Sequence, residues 1–247
     1  MIPRIITTSF AGESLRQADR LLAAYQASAQ AAGVPLAVHE LAPDAVGPLA
    51  RSLAPGLLHR YRANTIKLRH WQQLIEQAAG PIMLTDCDML VLRDPRDAFA
   101  DREAWDVALT RYDRPGPVKW FNAGVVLCRP TPGARKFMTH WRQLNDAIAA
   151  DPRSVAHHQA LQTFCGINQA ALALLLARED RPYRIKWLEC AQFNCCDACW
   201  PTVDIARIRL LHIKGKLRKA CLTGRPFKRP ELVRLWKCFD GGKVTHG

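Results

Sequence analysis

Between two apolar tracts, Ile82-Met83-Leu84 and Met89-Leu90-Val91-Leu92, the chain carries Asp86-Cys87-Asp88. An ionised carboxylate in such surroundings is costly unless it is paired or holds a cation. In an extended segment alternate side chains share a face, so Asp86 and Asp88 point the same way and call for positive charge between them. A bare D-x-D also suits a turn or a helix cap, so the rest of the chain must decide. His212, flanked by Leu211 and Ile213, is either a core histidine or, standing before Lys214-Gly215-Lys216, a ligand. Asn122-Ala123-Gly124 is either a strand bulge or a place where glycine admits a ligand close to the backbone. Gln169 opens an apolar helical run, and Lys67 lies on a helix whose outer face is polar.

The elements that position these residues are read from periodicity. Pro3–Thr8 and Leu36–Leu41 are strands, with an amphipathic helix over Ser14–Ala32 that stops at Gly33. After a Pro/Gly-broken loop over Ala42–Gly56, a helix over Ala63–Ala79 puts Ile66, Trp71, Leu74, Ile75 and Ala78 near helical spacing, and the Asp86 strand follows. Trp105–Thr110 and Phe121–Cys128 are further strands, and Arg135–Ala149 is a helix with Phe137, Trp141, Leu144 and Ile148 on one face. This alternation predicts an α/β fold whose mostly parallel sheet is flanked by helices and binds ligands at the carboxyl ends of its strands, where Asp86 and Asp88 lie.

At 247 residues the chain can bury a sizeable core, and no repeat, signal-peptide pattern or membrane-length apolar run is present. The expectation is a cytoplasmic protein with reduced thiols, nine cysteines being odd in number. Within Cys190–Cys199, Cys196-Asp197-Ala198-Cys199 is a C-x-x-C, but Cys190 and Cys195 are irregularly spaced for a second ligand pair, so the cluster is read as buried free thiols. The net charge is +13, and Lys214–Lys243 holds ten Lys or Arg against two acids, a net +8 that implies an anionic partner.

Four stretches in register carry a family resemblance. LTDCDMLVL resembles the D-x-D element of GT-A-fold glycosyltransferases, FNAGVVLCRPT their F-N-[AS]-G strand, INQAAL their [DN]-Q-x-x-[LF] helix start, and LLHIKGKLRK the H-x-x-G-x-x-K-P-W element of glycosyltransferase family 8 and its relatives. The resemblance spans residues 5–219. It departs after Lys216, where Leu-Arg-Lys replaces Lys-Pro-Trp and leaves Arg218 and Lys219 as candidates for the phosphate-contacting cation. It implies a GT-A (Rossmann-like) domain over 1–221, with 222–247 as a basic amphipathic extension. It also implies Mn²⁺ or Mg²⁺ on Asp88, His212 and Asp86, a set whose hard oxygens and imidazole suit those ions. By the same resemblance the donor meets the backbone at Thr7 and Thr8 and the side chains or backbone of Lys67, Asp86, Asn122, Gly124, Gly215 and Lys216, with Gln169 beside the anomeric carbon. Asn194 matches an asparagine that the family often carries before its last strand.

The expected function is metal-dependent transfer of a hexose from a nucleotide-diphosphate sugar, UDP-linked, to a glycan or lipid-linked surface-glycan acceptor such as a lipopolysaccharide precursor, with retention by analogy. A haloacid-dehalogenase-type phosphatase would carry its D-x-D on the first strand, followed by Thr or Val, whereas Met89 and Leu90 follow here. A nucleotidyltransferase would want a Gly-rich basic loop after the first strand, and SFAGESLRQ supplies only Gly12 and Arg16. A non-enzymatic binder of anionic polymer fits the charge, but no aromatic residues interleave with it, so no nucleic-acid partner is expected. Leu232, Leu235, Trp236 and Phe239 fall at helical spacing beside Lys228, Arg229, Arg234 and Lys237, which suits a peripheral contact with an anionic membrane at the inner face. The same apolar face also suits packing on the enzyme's own core.

Overall fold

The computed structural model of the chain describes residues 2–10, 16–41, 55–101, 103–112, 121–151, 153–154, 157 and 166–241. In order these form β1 (Arg4–Phe10), α1 (Arg16–Ala31), β2 (Leu36–Leu41), α2 (Pro55–Glu76), β3 (Ile82–Thr85), β4 (Met89–Val91), β5 (Val107–Arg111), β6 (Phe121–Cys128), α3 (Pro132–Ala150), α4 (Ile167–Leu176), β7 (Ile185–Glu189), α5 (Cys190–Phe193), β8 (Leu210–His212), α6 (Gly215–Thr223) and α7 (Pro230–Lys237).

Six strands form one sheet in the order β2-β1-β3-β6-β5-β7, and β4 pairs with β8 in a second, two-stranded sheet. Within the large sheet β1 runs parallel to β2 and β3, β5 runs parallel to β7, and β6 is antiparallel to both β3 and β5. The mostly parallel α/β architecture read from the alternation of strands and helices is present, with one reversed strand. All four residues of β3 are buried, as a central strand covered on both faces requires. Ile82 and Leu84 face Leu68, Trp71, Phe137 and Trp141 from α2 and α3, whereas Met83 faces the layer of Tyr25, Met89 and Leu210. The period of two in β3 thus assigns each side chain to one of two cores. Helix α3 starts where Thr131 Oγ1 accepts the N–H of Ala134 at 3.1 Å, with Pro132 in its first turn.

β2 and β6 have the expected bounds. Helix α2 begins eight residues before the expected Ala63, at a proline suited to a first helical position, and the expected 42–56 loop lies otherwise outside the described residues. The apolar run 82–92 is not one strand. It breaks after Thr85, and the D-x-D carries the chain from the large sheet into the small one.

The face of α7 expected against a membrane is turned inward. Leu232 and Trp236 are fully buried in a third core with Leu217, Cys221, Trp200 and Leu211, because α7 folds back onto α6 and the segment around Trp200. The correction concerns the apolar stripe alone, since Lys228, Arg234 and Lys237 stay exposed. No helix among the described residues is long and apolar enough to cross a membrane.

Candidate active site

The link between β3 and β4 is held from both sides. Asp86 N–H donates to the Gly124 carbonyl of β6 at 2.9 Å, and the Asp88 carbonyl accepts from Ile213 N–H, just past β8, at 2.7 Å. Both carboxylates therefore reach His212. Its Nε2 lies 3.2 Å from Asp88 Oδ1 and 3.8 Å from Asp86 Oδ2, and one ligand atom from each of the three residues falls within 4.8 Å of the others. Asp88 and His212 are buried and Asp86 is partly open. Burial opposes ionisation of Asp88, yet His212 and Arg218 together hold its carboxyl well below the usual carboxylate range. Cys87 is pushed up to about 12 by burial and by the flanking carboxylates, so it stays a neutral thiol and no nucleophile.

Gly124 makes room for this arrangement. A Cβ there would lie 2.9 Å from Asn122 Oδ1, 2.9 Å from His212 Cε1 and 3.0 Å from Asp86 Oδ2. The space between these side chains exists because residue 124 has none. Two carboxylates and an imidazole around a cradle of this kind fit a hard divalent cation.

A hydrogen-bond relay fixes the histidine. Gly124 N–H donates to Asn122 Oδ1 at 2.8 Å, which identifies that atom as the oxygen. Asn194 Nδ2 donates to the same oxygen at 2.9 Å and to Thr110 Oγ1 at 3.0 Å, so the other end of Asn194 is its oxygen, and this accepts from His212 Nδ1 at 2.9 Å. A backbone N–H thereby fixes the ring: Nδ1 carries a proton and Nε2 faces the carboxylates, where it shares a proton with them or joins them in holding a cation. Asn194 is completely buried. Its family position drew attention in the sequence, but nothing there gave its link to His212, because that link crosses between β6, the turn after α5 and β8.

Two cations complete the surroundings. Lys67, on α2, is buried, pairs with Asp86 Oδ1 at 2.5 Å and lies 4.7 Å over the Trp71 ring. Arg218, on α6, pairs with Asp88 Oδ2. Of the two candidates left open after Lys216, Arg218 is the one turned to the carboxylates, while Lys219 is exposed. Gly215 takes φ +52°, a left-handed conformation favouring glycine, where the chain turns from β8 into α6. Gly215 and Lys216 are exposed.

The remaining expected residues lie around this centre. Gln169, in the first turn of α4, accepts from Ala123 N–H at 3.1 Å and donates to the Phe121 carbonyl at 2.9 Å. Its amide thus pairs with β6 on both sides of Asn122 and clamps the irregular stretch at which β6 changes register against β5. Thr7 donates to the Thr85 carbonyl at 3.2 Å, and Thr8 Oγ1 accepts from Trp71 Nε1 at 2.8 Å. Both threonine side chains are buried in these internal bonds.

The family model described as nucleotide-diphospho-sugar transferase matches residues 61–204. No curated protein sequence matches the chain. The fold is similar to that of a solved glycosyltransferase involved in glycosylation of the major capsid of PBCV-1, with a TM-score of 0.58 and 14% identity over 96% of this chain and 100% of that one. It is similar to the glycosyltransferase GlyE of Streptococcus pneumoniae TIGR4, with a TM-score of 0.57 and 15% identity over 96% of this chain and 60% of that one. It is also similar to the galactosyltransferase LgtC, solved with donor and acceptor sugar analogues, with a TM-score of 0.51 and 11% identity over 96% of each chain. At such identities the likeness establishes a GT-A-like fold.

Proposed function

Because the chain belongs to the nucleotide-diphospho-sugar transferase family, we propose that it moves one hexose from a UDP-linked donor to a hydroxyl of a glycan or lipid-linked surface-glycan precursor, using Mn²⁺ or Mg²⁺ at Asp86, Asp88 and His212. The observation that carries this reading is the convergence of those three side chains within 4.8 Å, two of which, Asp86 and His212, leave no room for a Cβ at Gly124. A divalent ion bound there supplies positive charge to the diphosphate as the sugar–phosphate bond breaks.

The chain's own residues do the rest. Asn194 keeps Nε2 of His212 facing the carboxylates. Lys67 and Arg218 now neutralise Asp86 and Asp88. Once the carboxylates hold a cation, both basic groups are available to the donor's phosphates, and Arg218 takes the part of the family's lysine. Gln169 holds β6 so that Asn122 and Gly124 present a fixed edge to the sugar. Asp86 and Asp88 are both engaged with cationic groups, so neither is free to attack the sugar. With retention taken from the family resemblance, this suits a front-face path, in which the departing phosphate oxygen takes the acceptor's proton. The exposed Lys228, Arg234 and Lys237 offer a basic surface to an anionic acceptor or membrane.

The test is a thermal-shift and hydrolysis panel of nucleotide sugars with and without Mn²⁺. A donor at 100 times its dissociation constant stabilises by about 2.7 kcal/mol. A UDP-sugar is expected to raise the melting temperature and to be hydrolysed slowly, both only with the metal present. Absence of any shift or hydrolysis across UDP-, GDP- and TDP-sugars would refute the proposal, and phosphate release from simple phosphomonoesters would favour the phosphatase reading.

A further inference from the structure

Four of the nine cysteines fall within residues 190–199, and the structure brings three of them, Cys190, Cys196 and Cys199, together. The Sγ atoms of Cys190, Cys196 and Cys199 lie within 4.8 Å of one another, with Cys190 and Cys196 at 3.8 Å. Cys195, next to Cys196 in the chain, is also buried and is the nearest further thiol in sequence. All four are buried and none is in a disulfide.

The local backbone explains the convergence. α5 is a single turn, closed by Asn194 N–H on the Cys190 carbonyl at 3.0 Å, and it folds Cys190 back over the C-x-x-C. The C-x-x-C is itself a tight turn, in which the Cys196 carbonyl accepts from Cys199 N–H at 2.8 Å and from Trp200 N–H at 3.2 Å. Irregular spacing in the sequence thus becomes regular spacing in space.

We propose that Cys190, Cys196 and Cys199, with Cys195 as fourth ligand, form a structural Zn²⁺ site. In a tetrahedral site with Zn–S bonds of about 2.3 Å, sulfurs stand about 3.8 Å apart. One pair already has this separation, Cys199 lies within 4.8 Å of both, and Cys195 turns its thiol inward to complete the set. Buried thiols that act only as small apolar groups have no reason to converge three at a time. Residues 190–209 also hold little regular structure for a zinc site to brace: beyond α5 there is only a short 3-10 turn, Ile205–Arg207. Each Zn–S bond replaces an S–H bond and releases one proton to solvent, with no change of oxidation state. The resulting negative charge faces Lys214 beside Cys196 and Arg229 beside Cys195. The site fastens the turn that carries Asn194, and the Cys190 S–H bond to the Asn194 carbonyl, 3.1 Å in the zinc-free protein, gives way to the Zn–S bond.

The test is metal analysis of the full chain after dialysis against EDTA. The expected result is one zinc per chain, released when a mercurial blocks the thiols. Replacement by Co²⁺ should give thiolate-to-cobalt charge-transfer bands and the visible bands of a tetrahedral field. Cys199→Ser should lose the zinc, Cys238→Ser, at an exposed thiol outside the cluster, should keep it, and Asp88→Asn should keep it too, which separates this site from the carboxylate–histidine one. A zinc-free chain that takes up no Co²⁺ would overturn the proposal, as would a denatured mass two hydrogens lighter than the sequence, which means a disulfide. Should Cys199→Ser not fold, zinc content and the cobalt spectrum of the unaltered chain decide alone.

Discussion

Asn194 Oδ1 accepts from His212 Nδ1 at 2.9 Å, entirely inside the protein, and a backbone N–H two residues beyond Asn122 determines which way that asparagine faces. Outer partners of this kind are worth about 10–100-fold in metal affinity. Asn194→Ala should therefore raise the Mn²⁺ concentration for half-maximal donor hydrolysis by about that factor, with part of the rate restored at saturating metal. An Mn²⁺ titration checks it. An unchanged midpoint would mean that His212 does not depend on Asn194 for its orientation.

Asp88→Asn preserves shape and deletes a charge. In the metal-free protein it leaves Arg218 without its partner, but that guanidinium is 42% exposed and water can take over. The fold is expected to survive, while Mn²⁺-dependent hydrolysis falls by more than the about 100-fold that an outer-shell change can cost. The same variant should lose the extra thermal stability that UDP and Mn²⁺ together give the unaltered chain. Ordinary turnover across a range of Mn²⁺ concentrations would show that the D-x-D is not a metal site.

Gly124→Ala places a methyl group 2.9–3.0 Å from Asn122, His212 and Asp86. Overpacking of this degree costs typically about 1–3 kcal/mol. Because the three neighbours are the site itself, loss of hydrolysis should exceed what the drop in melting temperature explains. Measuring both on one preparation separates the two effects, and a variant that hydrolyses donor normally would show that the cradle is not used.

How much of this was legible in the chain depended on the range of the interactions. β6, an eight-residue run of apolar residues interrupted by Asn122 and Gly124, has the bounds its pattern gives, since a buried strand shows itself locally. Asp86, Asp88 and His212 were found because motif order stood in for distance. Pro55 and Gly56 look like loop residues in the sequence, yet proline is also a first-turn residue and α2 starts there. The partner of Asn194 and the place of Cys190 beside Cys196 and Cys199 lie beyond any periodicity. The first depends on β8 pairing with β4 outside the large sheet, a contact between segments far apart in sequence, and the second on the one-turn helix α5, too short for any period to show.

Trp236 decides what the C-terminal helix is for. Its ring and Leu232 are completely buried with Trp200, Leu217 and Cys221, Arg229 at the start of α7 donates to the Trp200 and Val203 carbonyls, and Arg20 Nε reaches back from α1 to Asp240 at 3.0 Å. Removing the chain after Leu222 strips all of these at once and uncovers the segment that carries Asn194 and the cysteines. The truncated protein should melt far below the intact one and lose metal-dependent hydrolysis, the opposite of what a freely inserting membrane helix would show. Trp236→Ala alone should cost about 3–5 kcal/mol, as expected for emptying a large buried aromatic site. Trp236→Phe supplies the control: Trp236 Nε1 is buried without a hydrogen-bond partner, so phenylalanine keeps most of the packing and removes an unpaired donor. Its cost should be a small fraction of that of alanine. Denaturant melts of the three proteins check the order, and a truncated chain with unaltered stability and hydrolysis would return α7 to the membrane surface.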